Sequence, residues 1–222
     1  MMPEPRATLD RELQRLQDEV LSLGSLVEET LLQAVDILKR QDLEAAQQLI
    51  ARDRHINASR YAIEEGALAT IALHQPMAGD LRVLAAVLDI TQEIERIGDY
   101  AKGIARIALL IGHEPLLKPL IDVPLMAQKA RAMLHEALIA FIERDVEAAY
   151  AIPKQDDEVD ALYNQVYREL ISYILQDVRH IEQANYLLWA AHNLERAADR
   201  VSNICERVIF TATGELVELD LK

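Results

Sequence analysis

Apolar residues recur every three or four positions along most of the chain, which is the spacing of amphipathic helices. Between residues 9 and 39 this stripe consists of Leu9, Leu13, Leu16, Val20, Leu23, Val27, Leu31, Ala34, Ile37 and Leu38. The same reasoning predicts further helices over residues 43–74, 80–111, 122–143, 145–177 and 181–213. We therefore predict an all-α protein with six long antiparallel helices.

Capping and helix-breaking residues define where these helices begin and end. Asp42 and Asp145 stand at positions where an N-cap is expected, and Asp80 is expected to cap the third helix. Pro153 is expected to kink the fifth helix, because proline removes a backbone donor. Gly214 is expected to end the sixth helix, since glycine favours the left-handed conformation found there.

The pattern occurs twice. Residues 95–99, with the sequence Glu-Arg-Ile-Gly-Asp, return as residues 195–199, with the sequence Glu-Arg-Ala-Ala-Asp, at an offset of 100. The capping segments of the second and fifth helices are related by an offset of 103. A proline-rich segment over residues 113–124 separates the copies. We predict two tandem pseudo-symmetric three-helix bundles, residues 1–113 and 114–222.

The amino-acid composition of the chain disfavours several classes of function. A net charge of −14 over 222 residues disfavours nucleic acid and anionic lipid as partners, because both attract clustered Lys and Arg. The start of the chain lacks the pattern of a secretory signal, and no stretch has the roughly 20 apolar residues that span a bilayer. The single cysteine, Cys205, has no internal disulfide partner. We expect a soluble cytoplasmic protein without direct membrane insertion.

Each copy places acidic residues on facing sides of its last two helices. The Glu and Asp of the repeated Glu-Arg-x-x-Asp motif are four residues apart, so they lie on one side of a helix. Because neighbouring helices run antiparallel, an acid-rich segment of the preceding helix lies level with this pair. The first face consists of Asp53, Asn57, Glu95 and Asp99, and the second face consists of Asp156, Asp160, Glu195 and Asp199.

Converging carboxylates without an obvious excess of nearby Lys or Arg are typical of sites for hard cations. The faces are therefore candidate sites for divalent or ferric ions, among them Fe, Mn, Zn or Mg. Arg96 and Arg196 leave two possibilities open, because they could pair with the acids or turn away from them. The first face is expected to bind more weakly, since Asn57 stands where the second copy has Asp160.

A carboxylate-bridged metalloenzyme or metal-storage bundle is the alternative interpretation. Di-iron carboxylate bundles use a Glu-x-x-His motif, and no Glu in this sequence has a His three residues later. A phosphate-binding glycine loop, a nucleophile elbow and a His-Glu-x-x-His motif are also missing from the sequence. We therefore predict no enzymatic activity. A third interpretation is a structural helical protein whose acids are only solvated surface.

The order and duplication of these motifs resemble a known family. Residues 75–82 read Gln-Pro-Met-Ala-Gly-Asp-Leu-Arg, and both copies carry Glu-Arg-x-x-Asp in their last helix. Asp-x-x-Ile-Asn over residues 53–57 returns as Asp-x-x-Val-Asp over residues 156–160. Together these features resemble the PhoU family of phosphate-uptake regulators over essentially the whole chain.

The resemblance implies a function as well as a fold. It implies a non-enzymatic cytoplasmic signalling adaptor, commonly a homodimer, that restrains phosphate uptake when phosphate is plentiful. It implies two partners, the ATPase subunit of the phosphate ABC transporter and a PhoR-type sensor histidine kinase. It also implies that the metal motifs of the family fall on Glu95 with Asp99 and on Glu195 with Asp199.

Overall fold

The computed structural model describes residues 5–219 and is helical almost throughout. Residues 1–4 and 220–222, which the predicted domains include, lie outside the described residues. A short 3₁₀ turn, Ile152–Gln155, separates α5 from α6, and a second, Val178–His180, precedes α7. The helices are α1 Pro5–Arg40, α2 Leu43–His74, α3 Gly79–Ile111, α4 Asp122–Glu143, α5 Val146–Ala151, α6 Asp156–Gln176 and α7 Ile181–Thr213.

Several predicted helix ends are confirmed. The Asp42 carboxylate accepts a hydrogen bond from the Ala45 backbone N–H at 2.9 Å, and Asp145 accepts one from Ala148 at 3.0 Å. Each satisfies a donor that the first helical turn leaves without a partner. Gly214 ends α7 with φ of 84°, in the left-handed region. The same local chemistry therefore begins the second helix of both repeats.

At Pro153 the helix is divided where only a kink was expected, and the expected cap at Asp80 is wrong. Pro153 lies in the 3₁₀ turn that divides the predicted fifth helix into α5 and α6. The third helix begins one residue before Asp80, and its N-cap, Ala78, makes no side-chain hydrogen bond. The Asp80 carboxylate instead accepts hydrogen bonds from the Arg6 guanidinium on α1. A tertiary ion pair has replaced the local cap.

The helices form two pseudo-symmetric three-helix bundles that pack on each other, as predicted. Within the described part of the chain, α2 contacts the other helices of the first bundle only, and α6 contacts only helices of the second bundle and the neighbouring turns. The bundles meet where α3 packs against α7 and α1 packs against α4. The buried apolar residues form one cluster that runs through both bundles. The domain boundary between residues 113 and 114 stays a prediction.

Polar contacts across this junction follow the internal symmetry. Glu28 on α1 binds Arg131 on α4, its equivalent at the offset of 103, with Oε2 and Nε 3.0 Å apart. On the α3–α7 contact, Asn203 donates to Glu93 at 3.1 Å. In the related position, Asn193, which is equivalent to Glu93, packs over Gly103, which is equivalent to Asn203. The two repeats therefore meet about a pseudo-twofold axis.

Side-chain amides secure the segment between the repeats. Gln183 on α7 accepts a hydrogen bond from the backbone N–H of Leu117 at 2.6 Å and donates to the carbonyl of Pro115 at 3.0 Å. Gln41 donates to the Gly112 carbonyl at 3.1 Å. These bonds satisfy backbone groups that no helix satisfies in this segment. In residues 5–219, no helix has the length and apolar character required to cross a membrane.

Candidate functional site

The first face is built around the ammonium group of Lys102. Its Nζ lies 2.6 Å from Oδ2 of Asp53 on α2 and 2.9 Å from Oδ1 of Asp99 on α3. Asn57, one turn after Asp53, donates to the same Oδ2 at 3.2 Å. Asp53 is buried, whereas Asp99 is half exposed. Three of the four residues predicted for this face therefore meet at one point, through a lysine that the spacing argument does not include.

The charge of Lys102 is held in place by its partners. Burial lowers the pKa of Lys102, but the hydrogen bonds and charges of Asp53 and Asp99 outweigh burial and leave this pKa above its usual value. The lysine is therefore an ammonium at neutral pH. Two carboxylates share one cation, and the partly buried site keeps that cation away from most of the solvent.

Glu95 is the fourth residue of the first face, and its pKa is subject to opposing influences. Burial raises the pKa of Glu95, and the charge of Asp99 raises it further, while the charge of Arg60 acts in the opposite direction. Arg60 lies on α2, pairs with Glu64 at 2.6 Å and stacks on the ring of Tyr61. The first face thus contains or adjoins two basic side chains.

The second face borders an acidic cavity of about 290 Å³ beside the start of α6. Asp156 and Asp199 both line the cavity, and Asp160 follows one helical turn after Asp156. The backbone N–H of Leu219 donates to Glu206 at 2.9 Å, which brings the segment after α7 to the cavity rim. The remaining polar lining residues are Asp157, Arg200, Ser202, Asn203, Glu206 and Glu218.

Glu195, the fourth residue of the second face, faces a histidine and a tyrosine. His192 Nδ1 lies 3.3 Å from Glu195 Oε2, and the rings of His192 and Tyr163 are 6.0 Å apart. Burial raises the pKa of Tyr163, and the charge of Glu195 raises it further. The tyrosine stays neutral at physiological pH and adds no charge to the second face.

The two faces differ most at the positions of the basic residues. Lys102 on α3 is equivalent to Ser202 on α7 at the offset of 100. Arg60 on α2 is equivalent to Tyr163 on α6 at the offset of 103. Neutral side chains therefore stand in the second repeat where the first has two cations. The second repeat also has one more carboxylate, so the duplicated scaffold carries two electrostatically different faces.

The arginines of the Glu-Arg-x-x-Asp motifs have partners outside the two faces. Arg96 Nη1 lies 3.5 Å from Oε1 of Glu93, on its own helix. Arg196 donates from Nε to the Tyr100 hydroxyl at 3.2 Å, and its guanidinium lies over that ring. The Arg196 contact joins α7 to α3. Of the two roles that the sequence leaves open, the structure favours support of the bundle for Arg196, whereas Arg96 pairs within its own helix.

The two acidic faces differ in how well their side chains fit a bound metal ion. Within the described residues, no group of three or more His, Cys, Asp or Glu side chains is placed so that it could hold a metal ion. In the first face, Lys102 occupies the point where the oxygens of Asp53 and Asp99 meet, so these residues do not fit a metal as arranged. The second face offers carboxylate oxygens of the type that hard cations prefer. The metal assignment stays a prediction.

One important residue, Lys102, escapes the motif-based reasoning. Lys102 lies three residues after Asp99 and therefore shares its side of α3, a signal present in the sequence. The antiparallel alignment places Asp99 level with His55, but the long side chain of Lys102 reaches past that level to Asp53. His55 instead bonds the carbonyl of Arg52 on its own helix at 3.1 Å. Spacing along a helix predicts the position of a residue along the helix axis, but it does not predict how far a long neighbouring side chain extends.

A duplicated three-helix bundle with an acidic face on each copy places the chain in the class of tandem-repeat helical-bundle proteins. The PhoU domain family matches the chain twice, over residues 20–108 and 123–208. The chain therefore belongs to the PhoU family. Each matched segment covers most of one repeat.

Individual relatives are similar in sequence to this chain over nearly its full length. The chain is 37% identical over 210 residues to the phosphate-specific transport system accessory protein PhoU homolog of Aquifex aeolicus, covering 95% of each chain. It is 34% identical to the phosphate-specific transport system accessory protein PhoU of Escherichia coli, covering 92% of this chain and 85% of the relative. These relatives are phosphate transport accessory proteins, and the family is a regulatory one rather than a family of enzymes.

Solved structures confirm the fold. The phosphate transport system regulatory protein PhoU from Streptococcus pneumoniae is 33% identical, with a TM-score of 0.86, and the match covers 94% of this chain and 99% of that one. PhoU from Pseudomonas aeruginosa is 32% identical with the same TM-score, covering 93% of this chain and 99% of that one. The all-α duplicated architecture is therefore shared with experimentally determined relatives.

Proposed function

We propose that this protein is a non-enzymatic cytoplasmic regulator of phosphate uptake. In this proposal it restrains the phosphate ABC transporter through the ATPase subunit, and it restrains the phosphate-starvation response through a PhoR-type sensor histidine kinase, when phosphate is plentiful. The observation that carries the proposal is the full-length similarity to phosphate transport accessory proteins. The absence of a catalytic motif from the sequence is consistent with an adaptor that acts by binding.

Deletion of the gene tests the regulatory role. In phosphate-rich medium, we expect the deletion strain to express a phosphate-starvation reporter and to take up labelled phosphate faster than the parent. Restoring the wild-type gene should return both readouts to the parental level. A reporter that stays repressed in the deletion strain would contradict the proposal, because a restraining protein cannot be lost without derepression.

The adaptor role predicts direct binding to two partners. Purified protein should bind the transporter ATPase subunit and the cytoplasmic part of the kinase in separate biosensor experiments, while showing no phosphatase or ATPase activity of its own. Turnover of ATP or of a phosphate ester that copurifies with the folded protein would favour an enzyme instead. Absence of binding to either partner, with both partners active in their own assays, would argue against the adaptor role.

We further propose that the acidic faces contribute to this role by binding a divalent or ferric ion. The support is chemical, since Asp156, Asp160, Glu195 and Asp199 supply carboxylate oxygens without a lysine equivalent to Lys102. Elemental analysis of protein purified without chelator or histidine tag tests this proposal. The comparison is a variant with Glu95, Asp99, Glu195 and Asp199 changed to Ala. Metal in the wild type and none in the folded variant is the expected result.

A homodimer is the proposed oligomeric state. Light scattering coupled to size exclusion should give twice the chain mass of 25.0 kDa. Measurement across a range of protein concentrations separates a stable dimer from a weak one. A mass of one chain at every concentration would contradict the proposed dimer without affecting the proposed regulatory role.

A further inference from the structure

A groove open to solvent runs along the contact between α1 and α2 in the first repeat. Three cavities of about 350, 200 and 240 Å³ lie end to end in this α1–α2 groove. Leu26 lines both the first and the second cavity, and Leu49 lines both the second and the third, so the cavities are continuous. On α1 the lining extends from Glu19 to Arg40, which corresponds to about 30 Å of helix axis.

The second repeat has larger side chains at equivalent positions. Ser22 and Ser59 line the α1–α2 groove, one from each helix. At the offset of 103 they are equivalent to Leu125 and Leu162. Leu162 packs against the apolar core. The two leucines therefore occupy volume that the two serines leave open in the first repeat.

Polar pairs also join α4 to α6, and to the turn before it, at positions whose equivalents stay apart in the first repeat. Lys129 forms an ion pair with Glu158. Glu136 accepts a hydrogen bond from the Gln155 amide at 2.7 Å. The first-repeat equivalents, in the same order and at the offset of 103, are Leu26, His55, Gln33 and Arg52. All four line the middle cavity, so the same positions close the space in one repeat and border a groove in the other.

Two charged side chains on opposite sides of the middle cavity have no ionic partner within residues 5–219. Glu29 on α1 accepts a hydrogen bond from the Gln33 amide at 2.7 Å but forms no ion pair there. The guanidinium of Arg52 on α2 forms neither a hydrogen bond nor an ion pair with any described residue. Both side chains are exposed. The apolar residues that line the same cavity are Leu26, Leu49 and Ile56.

We propose that the α1–α2 groove binds one amphipathic helix of a partner protein, which adds a fourth helix to the three of the first repeat. The groove is long enough for a helix of about 20 residues, and an amphipathic helix lays its apolar side into such a groove. Charge complementarity defines the two flanks of the helix, with a basic residue beside Glu29 and an acidic residue beside Arg52. Binding of this helix does not depend on the proposed role in phosphate uptake.

Two designed peptides of about 20 residues test the charge complementarity on the full chain. Both are helical and carry leucine at every third or fourth position. The mixed peptide has lysines on one flank and glutamates on the other, whereas the all-lysine peptide has lysines on both. Fluorescence anisotropy of the labelled peptides gives the dissociation constants. We expect the wild type to bind the mixed peptide more tightly.

Substitution of Arg52 should change this preference. In Arg52→Glu, we expect the ratio of the two dissociation constants to shift by about tenfold in favour of the all-lysine peptide, because attraction and repulsion are exchanged on the α2 side. Arg54→Glu is the matched control, since Arg54 is exposed on the same helix but lines none of the three cavities. The control makes the same change in net charge and should leave the ratio unchanged.

Filling the groove tests its shape. Ser22→Leu/Ser59→Leu introduces the residues of the second repeat and is expected to abolish measurable binding of both peptides. Ser172→Leu is the control, because Ser172 is exposed on α6, away from the groove. Circular dichroism confirms that each variant is folded.

Three results would overturn the proposed helix site. The first is no binding of the mixed peptide at its highest soluble concentration. The second is an equal shift of the ratio in Arg52→Glu and Arg54→Glu. The third is a wild-type dimer that becomes a monomer in Ser22→Leu/Ser59→Leu, because a second copy of the chain would then occupy the groove. None of these results changes the outcome of the gene deletion, so failure of the helix site and failure of the regulatory role are distinguishable.

Discussion

Among individual residues, the buried carboxylate of Glu28 connects the first repeat to the second. Glu28 on α1 is 8% exposed and binds both Arg131, at 3.0 Å, and His135, at 3.1 Å, on α4. Both partners are about half exposed and lose little solvation in forming the contact. A carboxylate so enclosed depends on its partners, because burial without them would leave its charge uncompensated. This contact therefore specifies how α1 and α4 align.

We expect Glu28→Gln to lower the free energy of unfolding by about 1–3 kcal/mol, because it removes a charge-assisted hydrogen bond in a buried position. The measurement is urea unfolding followed by circular dichroism. The matched control is Glu29→Gln, next in sequence but exposed, with an expected change within about 0.5 kcal/mol. Equal losses in the two variants would mean that the contact with α4 contributes nothing specific.

Cys205 provides a test of packing by chemical reactivity. Its side chain is buried on α7, and burial raises the pKa of the thiol to about 12. We expect no reaction with a thiol reagent in the native protein at pH 8, and one reactive thiol per chain in denaturant. Rapid reaction of the native protein would show that α7 opens locally.

The raised pKa of Cys205 also sets a direction for pH dependence. The folded protein holds the thiol proton more tightly than the unfolded chain, so stability from this group falls as the pH rises from about 9 towards 12. Cys205→Ala, which recreates the equivalent Ala105, should reduce that decline in urea unfolding at alkaline pH. An unchanged slope would show that other groups dominate it.

At the level of helices, equivalent caps begin α2 and α5 by the same local mechanism. Asp42 and Asp145 each accept a hydrogen bond from the backbone N–H three residues later. The turn before α3 departs from this pattern, since Ala78 has a positive φ of 44° and no capping side chain. Helix starts that are stabilised by residues close in sequence therefore have the same structure in both repeats. Helix starts that depend on tertiary contacts can differ between the repeats.

We expect Asp42→Ala to destabilise the protein by about 0.5–2 kcal/mol, because it removes the acceptor for the Ala45 N–H. Asp42→Asn is the matched control, since it keeps a side-chain oxygen in the capping position and removes only the charge. Thermal unfolding of both variants measures the difference. A similar loss in Asp42→Asn would attribute the effect to charge near the helix N-terminus instead.

At the level of the whole molecule, the shared core predicts that the two repeats unfold together. The apolar cluster is continuous across the junction, with α3 against α7 and α1 against α4. Neither bundle can lose its last helix without exposing apolar surface of the other. Separate domains joined by a linker would not be coupled in this way.

The substitution Ile63→Ala tests this coupling. Ile63 is buried on α2, which contacts only the first repeat, and we expect a loss of about 2–5 kcal/mol. The readout is the fluorescence of Trp189, the single tryptophan, on α7 of the second repeat. Its urea midpoint should shift with that of the helical signal. Exposed Glu65→Ala is the control, and an unmoved Trp189 transition would mean independent repeats.

The sequence predicts the helices and their duplication well, because both depend on local information. Periodic apolar residues, the caps Asp42 and Asp145, and the break at Pro153 act within a few residues of where they stand. The Glu-Arg-x-x-Asp motifs likewise identify which residues lie together on a helix. The order of these motifs indicated the family, and the comparisons confirm the family.

Reasoning from local sequence patterns fails where a side chain can pair with either a nearby or a distant residue. Asp80 could cap its own helix or pair with Arg6, and only the approach of α1 decides in favour of the ion pair. The position of Lys102 on the same side of α3 as Asp99 can be read from the sequence. Its contact with Asp53 depends on the distance between α2 and α3, which an antiparallel alignment of the two helices does not give.

The sequence by itself therefore determined the helices, the two repeats and the acidic residues of both faces, because periodicity and spacing are local properties of the chain. Only the tertiary structure decided that the first face is neutralised by Lys102 while Ser202 leaves the second without that charge. It also decided that the repeats share one core. The physical reason is that charge pairing and burial depend on which helices come together in space.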